Sequence, residues 1–233
     1  MKKIIIAYLC ILSPVTFADQ NWNSYYIGAS AGAAFGKATS TDVSGYQGPE
    51  SVGSELKYNT NGSQLNMFGG KNWLLSNNFL FGIEAAIGHL DISNKKQYPA
   101  YVGVRLPTDS QASTDNGMFV SLAGRFGKVF NDNTLLYAKG GFIQTDIRQS
   151  YIDEDPEGCV LSGRTKTTRN SGPFVGLGLE HSIYKNLNIR TEYIYYQFGS
   201  ANHVASGCGG SNNYSFNEKF SLETLNLGAI YNF

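Results

Sequence analysis

The stretch Tyr25-Tyr26-Ile27-Gly28-Ala29-Ser30-Ala31-Gly32-Ala33-Ala34-Phe35 decides the fold, because it alternates with period two. One face reads Tyr25, Ile27, Ala29, Ala31, Ala33 and Phe35, and the other reads Tyr26, Gly28, Ser30 and Gly32. Successive side chains of a strand point to opposite sides, so this is a strand with one continuous greasy face. The pattern recurs. Phe79, Phe81, Ile83, Ala85 and Ile87 oppose Gly82, Glu84, Ala86 and Gly88, and Val120, Leu122 and Phe126 oppose Ser121, Ala123, Arg125 and Gly127. Ala138, Gly140 and Phe142 oppose Tyr137, Lys139 and Gly141. Val175, Leu177, Leu179 and Ile183 oppose Gly176, Gly178, Glu180 and Ser182. Leu187, Ile189, Tyr193 and Tyr195 oppose Arg190, Glu192 and Tyr196, and a last strand runs Leu225, Leu227, Ala229, Tyr231, Phe233. A strand at Leu65 to Leu74 places Lys71 on the face of Met67 and Trp73, where a long cation near the membrane interface can snorkel.

The connections alternate between two kinds. Ser76-Asn77-Asn78, Asn131-Asp132-Asn133 and Tyr184-Lys185-Asn186 suffice only for a hairpin turn. Long polar connections run over 37–62, 93–116, 149–170 and 199–218. Short turns on one side and long loops on the other, joining strands with a greasy face, predict an all-β, eight-stranded antiparallel up-and-down transmembrane β-barrel. A soluble β-sandwich or lipocalin-like barrel also alternates, but it buries its apolar face. Here the opposing face carries Gly, Ser, Arg, Lys and Glu, which suit a hydrated or ion-paired lumen and not a dry interior.

The N-terminus carries Lys2 and Lys3, an apolar run from Ile4 to Leu12, and Thr16-Phe17-Ala18, the layout of a secretory signal peptide cleaved after Ala18. Residues 1–18 are then the signal and 19–233 the barrel. A membrane anchor would need roughly 20 apolar residues. A lipid-modified Cys10 is the other alternative, set against its bulky neighbours Tyr8 and Leu9. Removing Lys2 and Lys3 leaves 16 bases against 18 acids, a net charge of about −2, which offers nothing to nucleic acid.

The segments Gly69-Gly70-Lys71-Asn72-Trp73, Phe81-Gly82-Ile83-Glu84, Ala123-Gly124-Arg125-Phe126-Gly127, Leu136-Tyr137-Ala138-Lys139-Gly140-Gly141, Glu192-Tyr193-Ile194-Tyr195 and Leu227-Gly228-Ala229-Ile230-Tyr231-Asn232-Phe233 resemble, in order and spacing, the OmpA-like and opacity-type family of small porin-like surface barrels. Lys71 departs from it, standing where the family places an aromatic. The sequence ends at Phe233, so the expectation is a barrel without the peptidoglycan-binding domain that OmpA carries. The resemblance implies location in the outer membrane and, as partners, outer-membrane lipid and lipopolysaccharide, the barrel assembly machinery and a host or environmental surface ligand. Tyr231 and Phe233 then look like the terminal assembly signal; equally, with Tyr25, Trp73 and Phe79, they form an aromatic girdle at the periplasmic rim.

Glu84, Arg125, Lys139, Glu180, Arg190 and Glu192 share the lumen face, three acids against three bases. An eight-stranded barrel is just wide enough for side chains to fill, so these six are expected to pair across it as a plug; a narrow charged pore is the alternative. No enzyme is expected. His181 and Ser182 are adjacent and point apart, His89 has no hydroxyl two residues away, and His203 with Ser206 falls in a polar loop. No metal and no cofactor is expected, since Asp153-Glu154-Asp155-Pro156-Glu157 lacks the spacing of a calcium loop. The expected role is a structural surface-exposed barrel whose loops interact or adhere, with a small-solute porin as the alternative.

Cys159 and Cys208 fall in the third and fourth long connections and pass through an oxidising compartment, so a disulfide and a pair of free thiols are both open. If they bridge, thiol labelling on intact cells requires prior reduction, and reduction accelerates trypsin cleavage at Arg164, Lys166 and Arg169. Labelling of both thiols without reductant would contradict the bridge.

Overall fold

The computed structural model describes residues 22–44, 52–97, 111–115, 117–154, 160–206 and 213–233. The signal segment, Cys10, Cys159, Cys208 and residues 155–157 lie outside these, so neither leader cleavage nor the disulfide is addressed by the fold. Ten strand segments follow in order: β1 (Tyr25–Asp42), β2 (Glu55–Leu74), β3 (Phe79–Gln97), β4 (Gln111–Asp115), β5 (Met118–Phe130), β6 (Thr134–Glu154), β7 (Val160–Tyr184), β8 (Leu187–Gln197), β9 (Ala201–Ser206) and β10 (Asn213–Asn232). β4 and β5 both lie between β3 and β6, and β8 and β9 both pair with β10. Ten segments therefore make an eight-stranded wall. All neighbours are antiparallel, and β1 pairs with β10 to close it, leaving no sheet edge around the membrane-spanning part.

The pairing fixes the barrel's stagger. From Tyr26 the cross-strand partners run Gly70, Glu84, Ala123, Gly141, Phe174, Tyr196, Leu222 and back to β1 at Gly36. One circuit thus returns ten residues further along the same strand, from 26 to 36. Eight strands with that displacement tilt by about 40° and enclose a lumen only wide enough for side chains.

The outward face is apolar. Phe142 is 70% exposed, Leu227 64% and Leu177 63%, and a protein surrounded by water does not carry such residues in a continuous band. At a rise of roughly 3.3 Å and this tilt, each residue climbs about 2.5 Å, so Tyr25 to Phe35 spans about 25 Å, the height of a hydrocarbon layer. At the short-turn end the band is closed by Tyr25, Trp73, Phe79, Tyr231 and Phe233, all more than a third exposed. Trp73 stacks on Phe81 at 5.8 Å and Tyr231 meets Phe233 edge-on at 5.3 Å. Lys71 pairs with Tyr25 across the ladder and sets its ammonium 4.3 Å from that ring's centroid, the rim position that lets a cation sit on a greasy strand.

The short turns follow their sequence. Asn77, Asn78, Asn131 and Asp132 all take positive φ, the left-handed region that Asn and Asp tolerate. The long connections do not. Much of what reads as loop is strand: β1 continues to Asp42, β2 starts at Glu55, β3 runs to Gln97, and β6 and β7 pair out to Glu154 and Val160. Above the membrane a strand needs backbone pairing but no greasy face. The Ser, Thr, Lys and Asn of these extensions thus hide strands that periodicity of hydrophobicity cannot reveal.

A closed wall resists detergent, so the folded protein is expected to run at a different position from its boiled form on a cold SDS gel. Identical mobility would contradict the barrel.

Candidate functional site

The inward face of the wall divides into three layers. At the short-turn end, Leu80, Val129, Leu135 and Tyr137 point inward, and Trp22, ahead of β1, folds beneath them with its indole Nε1 donating to the carbonyl oxygen of Asp132 at 2.9 Å. Trp22 is only 3% exposed, so the chain's own N-terminal approach closes this mouth.

Above it lies the charged layer. The structure places Glu84, Arg125, Lys139, Glu180, Arg190 and Glu192 together, contributed by β3, β5, β6, β7 and β8, each 9% exposed or less. Lys139 Nζ lies 2.8 Å from Glu84 and 3.0 Å from Glu192. Arg190 donates to Glu180 through Nε at 3.1 Å and Nη2 at 2.8 Å, and Arg125 Nη1 donates to the same Glu180 oxygen. Arg190 Nη1 sits 2.7 Å from Glu84 Oε2 without the alignment of a directed hydrogen bond, so that contact is ionic. Every acid touches at least one base. Taking a charge out of water costs several kcal/mol unless it is paired, so the six form one unit whose members depend on one another.

Neutral partners complete this layer, and the charge pattern alone does not reveal them. Tyr26 Oη donates to Glu84 at 3.0 Å, Tyr137 Oη donates to Glu192 at 2.6 Å, and Asn72 Oδ1 accepts from Arg125 Nε at 3.0 Å. The Arg190 guanidinium also lies 4.0 Å from the centroid of Phe68, and Arg125 lies 4.6 Å from that of Tyr26. Parity was the available signal, since Tyr26 and Tyr137 alternate onto the same face as the charges. Small residues opposite make the room. A Cβ on Gly70 would come 2.5 Å from Tyr26 Oη, and one on Gly82 would meet Asn72 Oδ1 at 2.6 Å and Arg125 Cγ at 3.0 Å.

The third layer corrects the expectation of a polar lumen throughout. Toward the long connections the interior is apolar: Phe119, Ile143, Phe174, Ile194, Tyr196, Phe198, Phe220 and Leu222 pack as one buried cluster. Ring contacts run from Phe174 to Tyr196 (5.3 Å), Tyr196 to Phe198 (6.3 Å) and Phe198 to Phe220 (5.5 Å). The strands here are apolar on both faces, which removes the contrast that alternation relies on. Between this cluster and the charges, Gln64, Asn66, Thr224 and Asn226 are buried.

Of the residues weighed for catalysis, His203 and Ser206 lie outside the described side chains, and His89, His181 and Ser182 are not brought together. His181 Nδ1 lies 3.0 Å from the hydroxyl of Thr134, Ser182 Oγ donates to the carbonyl oxygen of Tyr184, and His89 faces outward beside Met118. Among the described residues no group of three His, Cys, Asp or Glu could hold a metal ion.

A closed wall with a greasy exterior, an aromatic rim and a filled interior defines an outer-membrane β-barrel. The chain belongs to the outer membrane protein beta-barrel domain family, which matches it over residues 4–233. It is similar to the 31 kDa outer-membrane immunogenic proteins of Brucella melitensis and Brucella suis, at 24% identity over 214 residues, covering 91% of this chain and 84% of theirs. Among solved structures it is similar in fold to the outer membrane protease OmpT from Escherichia coli, with a TM-score of 0.52, 10% identity, and coverage of 94% of this chain and 99% of that one. The attachment invasion locus protein Ail of Yersinia pestis aligns at a TM-score of 0.40 and 15% identity, over 90% of this chain and 99% of that one. The protein is thus located in the outer membrane.

Removing one base from the charged layer leaves three buried acids against two bases, an uncompensated charge away from water. Arg125→Ala is expected to lower stability by about 3 to 5 kcal/mol in urea titration of the refolded barrel. Glu55→Gln, at an exposed position above the membrane, is expected to leave the midpoint unchanged. Equal midpoints for the two variants would remove the ion pairs from the account.

Proposed function

We propose that the protein is a surface-display barrel: a rigid, internally sealed wall that holds its long connections outside the cell, where they make contact with a host or environmental ligand. The observation that carries this reading is the filling of the lumen. A solute crossing the barrel would have to pass Trp22 with Leu80, then the six paired charges, then the aromatic cluster from Phe119 to Phe220. That series favours a structural plug over the narrow pore of a small-solute porin. Trp22, Phe233 and the short turns lie at the end carrying the Tyr25 and Phe233 rim, so this end faces the periplasm in the proposed orientation.

The terminal strand supports a second element of the reading. Phe233 is 68% exposed and its backbone N–H donates to Tyr25 at 2.9 Å, completing the ladder between the first and last strands. In this reading Tyr231 and Phe233 are the terminal signal met by the barrel assembly machinery and, in the closed wall, part of the girdle. The immunogenic character of the Brucella 31 kDa outer-membrane proteins agrees with exposure of the long connections.

In planar bilayers the purified barrel is expected to give no discrete conductance steps. Steady channels from the unmodified protein would favour the porin.

A further inference from the structure

We infer that the lower lumen, just beneath the charged layer, binds a small monovalent anion such as chloride. The surface-display reading makes no use of this part of the barrel. The first support is an arc of polar side chains at the short-turn end. Asn188 on β8, Asn232 on β10, Ser24 immediately ahead of β1 and Asn72 on β2 come from neighbouring strands of the wall, and each is buried. Pairing joins them. Asn188 pairs with Ile230, the inward residue next to Asn232 on β10. Ser24 Oγ donates to Asn232 Oδ1 at 3.4 Å, and the carbonyl oxygen of Ser24 accepts from the backbone N–H of Asn72 at 3.0 Å. The rest of this level is apolar, formed by Leu80, Val129 and Leu135 with Trp22.

The second support is the hydrogen-bonding capacity these side chains leave unused. Asn72 Oδ1 is taken by Arg125 Nε at 3.0 Å and Asn232 Oδ1 by Ser24, so both amides have their Nδ2 atoms left to donate. Asn72 Nδ2, Asn232 Nδ2, Asn188 Nδ2 and Arg125 Nη2 are buried donors with no hydrogen-bond partner among the described residues, and Asn188 Oδ1 is the one acceptor of the arc in the same condition. Four donors thus stand against one acceptor. Water donates as readily as it accepts and suits a balanced set of groups. A set that almost only donates suits an anion, and a spherical halide accepts from every side at once. Burying such donors without a partner is costly, so a ligand that accepts from them stabilises the fold.

The third support is electrostatic. Arg190 is the next inward residue above Asn188 on β8, and Arg125 is bonded to Asn72, so a guanidinium stands over each end of the arc. Glu180 lies between these arginines and is engaged elsewhere on them, accepting from Arg125 Nη1 and from Arg190 Nε and Nη2. Arg125 Nη2 therefore remains for the arc. In a setting shielded from water, one charged donor and three amide dipoles hold an anion more firmly than they would in solution. A lumen just wide enough for side chains restricts the ligand to a small one.

The test follows urea unfolding of the detergent-refolded full barrel in sodium chloride and in sodium gluconate at equal ionic strength. Chloride is expected to raise the midpoint saturably, with the folded-to-unfolded ratio growing about elevenfold once chloride stands about tenfold above its dissociation constant. Equal midpoints in the two salts would overturn the inference. The combined variant Asn188→Leu, Asn232→Leu is expected to lose the chloride effect, and Lys71→Gln at the exposed rim to keep it. A chloride effect that survives in the arc variant would place the ion elsewhere and overturn the site. Heat-shifted gel mobility shows whether each variant is folded. Should the arc variant fail to fold, crystals of the unmodified barrel grown in bromide decide the matter. An anomalous peak within hydrogen-bonding reach of Asn72 Nδ2 and Arg125 Nη2 is expected; water density there without a bromine signal would overturn the inference.

Discussion

Glu84 sits at the centre of what holds this barrel closed. Its two oxygens meet Lys139, Arg190 and the hydroxyl of Tyr26, from three different strands, inside a wall that admits no bulk water. The geometry of the wall imposes the arrangement. Eight strands staggered by ten residues leave a lumen that side chains must fill, and charges placed there are tolerable only as a balanced set. Three acids and three bases, each held by at least one opposite charge, meet that condition. The tyrosines and Asn72 then take up hydrogen-bonding capacity that the ion pairs leave over.

The apolar layers on either side make the charged layer stronger. Trp22 with Leu80, Val129 and Leu135 below, and the Phe174 to Phe220 ring stack above, keep water from screening the pairs. The same layers separate the two ends of the molecule functionally. The membrane wall need not change for the long connections to vary, and their strand extensions carry any contact surface well clear of the lipid. A rigid scaffold with tolerant ends is the usual setting for recognition.

How much of this was legible in the sequence follows from where contrast exists. Strand parity in Tyr25 to Phe35 and its counterparts reveals the greasy exterior, and the six charges fall on the opposite parity, so the wall and the members of the charged layer are readable. The aromatic layer is not, because Phe119, Ile143 and Ile194 face inward from strands whose outward residues are equally apolar. Strand ends are hidden for the converse reason: beyond Lys37 on β1 and before Gly62 on β2 the outward positions are Thr39, Thr41, Lys57, Asn59 and Asn61, with no greasy run to mark a strand. Trp22 lies outside any strand, and only the closed barrel gives it a place to go. Register, which brings Asn188, Asn232, Ser24 and Asn72 into one arc, is a property of the pairing and not of any one segment.

The central claim is that the lumen is sealed around a paired, water-excluded set of charges. It is tested most directly by hydrogen exchange at the guanidinium groups of Arg125 and Arg190, followed by nitrogen-15 NMR of the barrel in lipid nanodiscs. On transfer to deuterated water, their Nε–H signals are expected to persist as long as the backbone amides of the membrane-spanning strands. Exchange at the rate of a free guanidinium would show water moving through the lumen and would contradict the sealed barrel.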